Sequence, residues 1–446
     1  MIKQKIVAGI DVGSSKVATI ISCAVDGDED IKIIGASSVP SRGIRKGQIV
    51  NIEEASQSVV ESVEAAERMA GYHLNKAFVS IGGAHLASQN STGVVAVAEP
   101  EGEINAEDIQ RVIEGAKAIS LPSSREIIHV VPRFYTVDGQ DGIKDAIGMS
   151  GVRLEVDTHI VTGSTTAIRN LTRCVSEVVA DVEELVATGF ASAQSVLTET
   201  EKELGVILVD FGGGTTTIMV YIEGAPYYTS VLPIGARNVT NDIAIGLRLS
   251  LEAAEKIKIA ISSKEKKPVL PAMFESKQAG KPAAVEKEGK EKKENEDEID
   301  LSKLGILEET KKVSRKTLVE GIIRPRLNEI FGMVGVEIKN SSAAGLTPAG
   351  LVVSGGGAQT VGLVESAKRT LSMPVRIGVP QRITGLIDDI KTPDFATVIG
   401  LVMYGAKKEG KSAPGFSLRS LGKNLPKIPI KGVVGKTIDL IKSFLP

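Results

Sequence analysis

Cysteine and histidine are scarce in this chain. Only two cysteines, Cys23 and Cys174, occur in 446 residues, and each lies in an apolar stretch. A disulfide framework is therefore not expected, and a reducing cytoplasm is the natural compartment. The four histidines are His73, His85, His129 and His159. Their scattered spacing, without a cysteine pair to join them, disfavours a zinc site.

Long hydrophobic runs and an excess of one charge are also absent. No run of about eighteen apolar residues occurs, so we expect no membrane-spanning helix. The first residues lack the apolar core and cleavage site of a signal peptide, so we expect none. The 53 Lys and Arg residues are balanced by 55 Asp and Glu residues, which disfavours a nucleic-acid-binding surface. With 42% apolar residues, a chain of this length predicts two or more globular domains.

The apolar residues follow the pattern of an α/β fold. Near-continuous apolar runs bounded by glycine or aspartate predict buried strands. These runs are KIVAGIDV, VATIISCAV, KIIGASSV, AFVSIGG, VILVDFG, TTIMVYI and LVVSGGG. Between Asn51 and Gly71 the period predicts a helix. Its apolar stripe consists of Ile52, Ala55, Val59, Val63, Ala66 and Met69.

Two segments interrupt this pattern. Residues 99–151 predict a small inserted α+β unit, in which Asn105 caps a helix and Pro132 breaks an extended run. Residues 262–303 are rich in Lys and Glu and poor in large apolar side chains. They predict a disordered loop, a partly helical charged arm or a solvated surface loop.

Two strand–turn–strand segments form an internal repeat. Residues 7–22 and 206–221 each contain an apolar strand ending in aspartate, a glycine turn, small hydroxyl residues and a second apolar strand. The first turn contains Asp11, Gly13, Ser14, Ser15 and Lys16, and the second contains Asp210, Gly212, Gly213, Gly214, Thr215 and Thr216.

The chemistry of these turns suits a triphosphate. Glycine lets backbone N–H groups approach phosphate oxygens, and Ser or Thr hydroxyls add donors. Lys16 is a candidate cation for the same phosphates. Asp11 and Asp210 are the candidate Mg²⁺ residues, acting through water because Mg²⁺ keeps much of its hydration shell. Glycine turns also occur in ordinary hairpins, but two copies, each with its aspartate, favour the phosphate interpretation.

Two further segments are candidates for the remainder of a nucleotide site. Residues 350–371 predict a strand that ends in Gly355, Gly356 and Gly357 and leads into a helix, which lets an adenine ring approach the backbone. Upstream, Glu255 and Lys258 lie three residues apart on one predicted helix face. That spacing suits a ribose or base contact and equally a surface ion pair.

Taken in order, these motifs resemble the actin, DnaK-type chaperone and sugar-kinase superfamily. Within it the chain is most similar to the bacterial cell-division FtsA family over about residues 6–404. The stretches that carry the resemblance are GIDVGSSKVATII, SRGIRKGQIVNIEEA, SIGGAHLASQNSTGVVAV, REIIHVVPRFYTVDGQDGIKDAIGMSGVRLEVDTHIV, SVLTETEKELGVILVDFGGGTT and LPIGARNVTNDIAIGL.

The resemblance implies an actin-like two-domain fold with duplicated ATP-clamping halves. Residues 83–161 would form the FtsA-type 1C subdomain, and residues 233–332 would form subdomain 2B, which receives the C-terminal peptide of FtsZ. The remaining bounds are 1–82, 162–204 and 372–405 for domain 1A, and 205–232 and 333–371 for domain 2A. The family resemblance also implies ATP with Mg²⁺ and self-assembly into filaments through 1C and 2B. Arg326 and Asn328 are candidate FtsZ contacts.

The chain departs from the superfamily at the residue that positions the attacking water. Where many FtsA-like chains have Glu-Pro, this chain has Thr188-Gly189, and Gln194 is a nearby candidate. Because phosphoryl transfer depends on positioning the nucleophile, this departure predicts slow hydrolysis at most. ATP would then act mainly as a structural ligand and polymerisation switch.

The C-terminal segment predicts a membrane anchor. Residues 432–446 form an amphipathic helical pattern that follows a flexible basic linker, 406–431. From Gly405 onward there are nine Lys or Arg residues and two acidic residues, which favours anionic lipid. The expected membrane contacts are Val434, Lys436, Ile438, Ile441, Lys442, Phe444 and Leu445. The alternative is a terminal helix that docks on this protein or on a partner.

The expected function is therefore an actin-like ATP-binding division protein that polymerises on the cytoplasmic membrane face at the division site and anchors the FtsZ ring there. Its expected partners are FtsZ, further copies of itself, anionic lipid and later division proteins, with no nucleic acid. A PilM-like pilus-assembly protein and a phosphotransferase or chaperone of the same fold are the alternatives.

Overall fold

The computed structural model describes residues 4–25, 30–98, 102–264, 297–306, 312–386 and 389–410. Residues 1–406 form one compact unit, and residues 407–446 form a second unit, of which 407–410 are described. The predicted membrane helix and most of the predicted basic linker lie outside the described residues. No helix within the described ranges is long and apolar enough to cross a membrane.

The described strands and helices are numbered in chain order. The strands are β1 (Gln4–Val12), β2 (Lys16–Val25), β3 (Ile31–Pro40), β4 (Ile44–Arg45), β5 (Gln48–Ile49), β6 (Lys76–Ile81), β7 (Ala87–Ala96), β8 (Arg125–Val137), β9 (Gln140–Ile143), β10 (Arg153–Ser164), β11 (Asp181–Ala187), β12 (Val206–Phe211), β13 (Thr216–Ile222), β14 (Ala225–Leu232), β15 (Glu298–Asp300), β16 (Lys312–Ser314), β17 (Leu351–Ser354), β18 (Val375–Ile377) and β19 (Ile383–Gly385). The helices are α1 (Ile52–Ala70), α2 (Ala106–Lys117), α3 (Thr165–Ser176), α4 (Thr188–Val196), α5 (Glu199–Leu204), α6 (Ala236–Leu247), α7 (Leu251–Lys264), α8 (Arg315–Leu318), α9 (Arg324–Asn340), α10 (Leu363–Leu371) and α11 (Ala396–Gly410).

Two sheets share a five-strand topology, and the first has one further strand, β19, parallel to β3. The first has the strand order β11-β6-β1-β2-β3-β19, and the second has the order β18-β17-β12-β13-β14. In each, an antiparallel meander of three strands is extended by two parallel strands beside its first strand. All seven predicted strands are present, and the shared order confirms the duplicated α/β architecture.

The glycine turns of the two halves also match in register. Asp11 pairs with Ala18 across β1 and β2, and Asp210 pairs with Thr217 across β12 and β13. The Gly13 N–H donates to the Lys16 carbonyl at 3.0 Å, and the Gly212 N–H donates to the Thr215 carbonyl at 2.9 Å. The same turn is therefore built at equivalent places, with Lys16 equivalent to Thr215.

Helices cover both faces of each central strand. Alternate residues of a strand point to opposite faces, so both faces of a buried strand must be apolar. In β1, Ile10 belongs to the core that α1 covers, and Val7 belongs to the core that α11 covers. In β12, Val209 packs with residues of α6, α7 and α9, and Leu208 packs with residues of α4. This burial of both strand faces explains the near-continuous apolar runs in the sequence.

A third sheet, of order β7-β10-β8-β9, forms the inserted unit with α2. The Asn105 side chain accepts hydrogen bonds from the Glu107 and Asp108 N–H groups, as its predicted capping role requires. The predicted break at Pro132 is wrong, because β8 continues through it. The proline lies instead where the pairing of β8 with β10 shifts by one residue, at Arg133.

The insert is hydrogen-bonded to the second sheet through β14. The Ser88 hydroxyl donates to the Thr229 carbonyl at 2.8 Å and accepts from the Thr229 N–H at 2.9 Å. The Asn90 amide donates to the Tyr227 carbonyl at 3.2 Å. The buried His159 ring lies between Asn90 Oδ1 at 2.8 Å and Thr229 Oγ1 at 3.0 Å. The insert thus contacts both halves, although its chain connections are to the first.

The structure corrects four predicted boundaries. The predicted linker begins too early at 406, because α11 extends to Gly410. Val375–Ile377 pairs with β17, so these residues belong to the second half and not to domain 1A, whereas β19 pairs with β3 in the first half. The predicted boundary at 332/333 falls inside the continuous helix α9. The predicted disordered stretch 262–303 is too wide, because α7 extends to Lys264 and β15 begins at Glu298. Short-range periodicity cannot detect such strand pairing.

Helix α1 bears out its predicted bounds. The Asn51 side chain accepts from the Glu54 N–H, and Gly71 ends the helix with a left-handed φ of 64°. Ala55, Val59, Val63 and Ala66 are buried, but Met69 is 56% exposed. The apolar stripe therefore leaves the core one turn before the helix ends.

Candidate functional site

The two glycine turns contact each other directly. A β-carbon on Gly213 would lie 1.8 Å from Ser15 Oγ, and a β-carbon on Gly214 would lie 2.9 Å from the Ser14 side chain. Any larger residue at Gly213 would push the turns apart. The structure thus brings together the two predicted phosphate turns, which are about two hundred residues apart in sequence.

Four backbone donors at these turns are unpaired. Within the described part of the chain, the N–H groups of Ser14, Ser15, Gly213 and Gly214 donate to no protein acceptor. Successive free N–H groups in a turn create a concave positive surface that binds anions. Two such turns face to face fit a chain of phosphate groups.

The two aspartates at the strand ends are close enough to interact. Asp11 accepts from Ser80 Oγ at 2.6 Å, and burial raises the pKa of its carboxyl group. Asp210 is 8% exposed and accepts from the Ser192 hydroxyl at 3.0 Å and the Thr397 hydroxyl at 3.1 Å. Burial, and secondly the negative charge of Asp11, raise the pKa of Asp210 to about 6. A divalent cation near both carboxylates would relieve this repulsion.

Lys16 is engaged by a residue that the sequence did not suggest. Its Nζ lies 2.7 Å from Asp394 Oδ2 and 3.7 Å from the centre of the Phe395 ring. Gln359 donates to the other carboxylate oxygen of Asp394 at 2.8 Å. Burial would raise the pKa of Asp394, but the Lys16 ammonium group lowers it overall. Sequence reasoning missed Asp394 because it lies 378 positions from Lys16.

The third glycine segment lies against the second hairpin. Gly355 follows β17 with a φ of 84°, and a β-carbon there would lie 2.4 Å from Asp210 Oδ1. A β-carbon on Gly357 would lie 2.5 Å from the Phe211 ring. Only glycine combines that φ with that approach at Gly355. Gly356 has room for a side chain, since its nearest neighbour, Asp394 Cβ, is 3.5 Å away.

Glu255 and Lys258 form an ion pair, one of the two interpretations that their spacing allows. The Lys258 Nζ lies 2.8 Å from Glu255 Oε2, 2.8 Å from Thr240 Oγ1 and 3.3 Å from the Ala236 carbonyl. Lys258 is only 8% exposed, whereas the Glu255 side chain is 45% exposed, so the pair lies at the edge of the surface. The Ala236 N–H in turn donates to the Gly212 carbonyl at 3.0 Å. Lys258 is thereby connected to the second glycine turn.

Thr188 occupies the start of α4 beside the second hairpin. Its hydroxyl lies 3.3 Å from Thr217 Oγ1, and its methyl group lies 3.0 Å from where a β-carbon on Gly82 would be. Ser192, one turn later, reaches Asp210. Gln194 lies two residues after Ser192, about 200° further round the helix. The geometry gives Gln194 no water-positioning role at Asp210, and that assignment stays a prediction without support.

Comparison with known proteins identifies the family. Residues 83–162 match the family model described as SHS2 domain inserted in FTSA, and residues 207–400 match Cell division protein FtsA. The chain is 38% identical over 427 residues to Cell division protein FtsA of Pseudomonas aeruginosa, covering 96% of this chain and 95% of that one. The chain belongs to the FtsA family. The Escherichia coli K12 FtsA is 33% identical over 416 residues and 90% of each chain.

The FtsA assignment accords with the fold. The PilM-PilN type IV pilus biogenesis complex aligns with a TM-score of 0.58 over 90% of this chain and 98% of that chain, at 14% identity. At that identity the likeness shows the actin-like fold and no more. PilM is therefore a structural neighbour of an FtsA-family cell-division protein.

Two residues predicted to contact FtsZ lie at the junction of α6 and α9 in this FtsA-family chain. Arg326 makes a bidentate ion pair with Asp242, with N–O distances of 2.5 and 2.9 Å. Asn328 Oδ1 is buried and has no hydrogen-bond partner among the described residues. Arg326 is therefore engaged within the protein, and the buried Asn328 acceptor does not lie at the surface where a partner would bind.

Metal chemistry at the FtsA site would depend on the ligand. The described residues contain no group of three or more His, Cys, Asp or Glu side chains that could hold a metal ion.

Proposed function

We propose that this FtsA-family protein binds ATP with Mg²⁺ between its two halves. The observation that carries the proposal is the pair of opposed turns with four unpaired N–H groups and two neighbouring carboxylates. Ser14, Ser15, Gly213 and Gly214 would hold the phosphates. Bound Mg²⁺ would neutralise phosphate charge, and Asp11 and Asp210 would orient its water ligands.

The contact between the turns has a consequence for nucleotide entry. Because Ser15 and Gly213 touch, a phosphate chain between them requires the halves to separate. The hydrogen bond from Gln359 to Asp394 and the contacts between the insert and β14 resist such a movement. Nucleotide occupancy would therefore set the relative position of the two halves, which is the property needed of a polymerisation switch.

Hydrolysis would be slow at most. Thr188 lies where many FtsA-like chains carry a carboxylate, and a threonine hydroxyl is too weakly basic to activate water at neutral pH. We propose that ATP acts mainly as a structural ligand. A turnover rate matching that of efficient ATPases would contradict this.

We propose further that the protein polymerises through the insert and the region 233–332. Exposed apolar side chains on both regions support this. On the insert Ile147 is 55% and Val152 is 71% exposed, and on α6 Ile245 is 77% exposed. Contiguous apolar patches favour protein–protein contact, whereas single exposed apolar residues are common, so these three positions are the ones to substitute in a polymerisation assay.

Polymers would carry many copies of the C-terminal segment 432–446 to the cytoplasmic membrane face and thereby tether the FtsZ ring at the division site. Each short anchor binds weakly, and linking many of them raises the overall affinity. The amphipathic pattern and basic linker of the sequence support this proposal.

The test is co-sedimentation of the full-length protein and FtsZ with anionic liposomes, with and without ATP. A chain that ends at Gly410 keeps α11 intact and should not pellet. Ile441→Asp should abolish pelleting, whereas Ser443→Asp adds the same charge on the opposite face and should preserve much of it. Pelleting without FtsZ would contradict the tether, and failure to pellet would contradict membrane anchoring.

A further inference from the structure

A short basic hairpin lies beside the two glycine turns. Strands β4 and β5 are joined by Lys46 and Gly47, whose φ values are 50° and 74°. Positive φ at both positions is the hallmark of a tight type I′ turn. At the base of the hairpin, the Val50 and Asn51 N–H groups donate to the Gly43 carbonyl at 2.8 and 3.1 Å, and Ile44 is buried. The tip is therefore held in a defined place.

The tip contacts both halves of the molecule. The Gly47 N–H donates to Ser14 Oγ at 2.8 Å, in the first turn. The Lys46 backbone nitrogen lies 3.3 Å from where a β-carbon on Gly214 would be, in the second turn. A β-carbon on Gly47 would lie 2.7 Å from Gly83 Cα, just beyond β6. The two-residue tip thus meets three backbone segments at one point.

Lys46 presents two groups at this point, its backbone N–H and its side-chain ammonium group. Within the described residues its N–H donates to no protein acceptor and its ammonium group makes no ion pair. It is a fifth unpaired N–H beside the four of the glycine turns. Lys16, the cation that the sequence suggests, is held instead by Asp394. Among the described residues at the turns, Lys46 on the hairpin is therefore a cation without an ion pair, as is Arg237, whose N–H donates to the Gly213 carbonyl at 2.8 Å.

We propose that Lys46 binds the terminal phosphate of the nucleotide and makes the site prefer a triphosphate to a diphosphate. This inference rests on the proposed nucleotide binding. The glycine segment 355–357 packs on Asp210 and Phe211 in the second half, whereas the hairpin tip packs on Ser14 and Gly83 in the first. A nucleotide whose base lies at the glycine segment would present its last phosphate to the hairpin tip. A diphosphate is one group shorter and does not reach the tip.

The test is calorimetric titration of the full-length protein with ATP and with ADP, in Mg²⁺. Lys46→Gly removes the ammonium group and keeps both the N–H and the positive φ. We expect it to lower ATP affinity about tenfold and to change ADP affinity less than twofold. Lys46→Arg, which keeps the charge, should restore most of the preference. Arg42→Ala, which removes one charge from the same segment where Arg42 lies 4.0 Å from Glu61, should alter neither affinity.

A second readout is hydrogen exchange of residues 41–50, which ATP should protect more than ADP in the wild type and equally in Lys46→Gly. Equal losses of ATP and ADP affinity, or no loss, would overturn the role of Lys46 while leaving nucleotide binding intact. A wild-type protein that binds neither nucleotide would overturn the proposed function itself.

Discussion

The two glycine hairpins share a backbone and differ in their side chains. Both have the same strand register and the same turn hydrogen bond. Asp11 accepts one hydroxyl hydrogen bond, from the adjacent strand β6, whereas Asp210 accepts two, from α4 and α11. The position of Lys16 in the first turn is occupied in the second turn by the uncharged Thr215. The two turns thus offer the same N–H groups, while the first carries the cation and the second holds its carboxylate with one more hydroxyl.

The largest expected effect concerns the glycine segment 355–357 of the second half. Gly355→Ala places a β-carbon against Asp210 Oδ1 at a φ that disfavours alanine. We expect a loss of about 3 kcal/mol in the free energy of unfolding, measured by chemical denaturation. Gly356→Ala is the matched control and should cost less than about 1 kcal/mol, since its site is open. Equal stabilities of the two variants would show that the segment does not pack on Asp210.

The second prediction concerns the buried carboxylate. Asp210→Asn should weaken ATP binding in Mg²⁺ about a hundredfold, or about 2.7 kcal/mol, because it removes one of the two charges that face the cation. Without Mg²⁺ the same change should leave ATP affinity unchanged or improve it, since a repelling charge is gone. Asp181→Asn, at the exposed start of β11, is the control. Calorimetric titration with ATP, with and without Mg²⁺, measures the affinity of both variants. A loss of ATP affinity in Asp210→Asn that is independent of Mg²⁺ would argue against the metal role.

Asp210 should also make the free energy of unfolding depend on pH. Its folded-state pKa of about 6 lies above the ordinary value of 3.8, so the folded state holds the proton more tightly than the unfolded state. This contribution to stability is complete below about pH 4 and is lost as the pH rises through 6. Asp210→Asn should therefore unfold at a higher temperature than the nucleotide-free wild type at pH 7.5. A lower unfolding temperature would mean that the ionised carboxylate stabilises the fold.

The third prediction tests the link between the insert and the second half. Burial, together with the positive charges of Arg133 and His129, lowers the pKa of His159 to about 3. The unfolded state then binds the proton first, so stability falls as the pH drops below 6.5, by about 2 kcal/mol at pH 5. His159→Gln should remove this loss between pH 7 and 5 in thermal unfolding. His73→Gln, at an exposed histidine, should retain it, and identical pH profiles for wild type and His159→Gln would refute the assignment.

The smallest expected effect concerns the pair between Lys16 and Asp394. Both side chains are 24% exposed, so the pair should contribute no more than about 1 kcal/mol. Asp394→Asn frees Lys16 for phosphate, and we expect a roughly twofold to fivefold gain in ATP affinity, or up to about 1 kcal/mol. Asp389→Asn, at an exposed aspartate, should give no gain. A loss of affinity in Asp394→Asn would mean that Asp394 itself assists nucleotide binding.

Much of the site was predictable because its signals are local. A strand that ends in aspartate and glycine specifies a turn within five residues, and repeating the pattern identified the second turn. The insert, its capped helix and the family were likewise readable from contiguous stretches. Asp394, Thr397 and the hairpin tip at Lys46 were not, because their roles come from contacts between distant segments. The assignment of Val375–Ile377 failed for the same reason, since strand pairing with β17 leaves no short-range pattern.

By itself the sequence determined the strands, the duplicated turns, the family and the amphipathic C-terminal pattern, because periodicity and glycine placement act over a few residues. Only the tertiary structure decided which groups meet. It brought the two turns into contact, paired Lys16 with Asp394, placed Lys46 beside them and joined the insert to β14. These contacts follow from how two sheets and their covering helices pack, and close packing is a property of the whole chain.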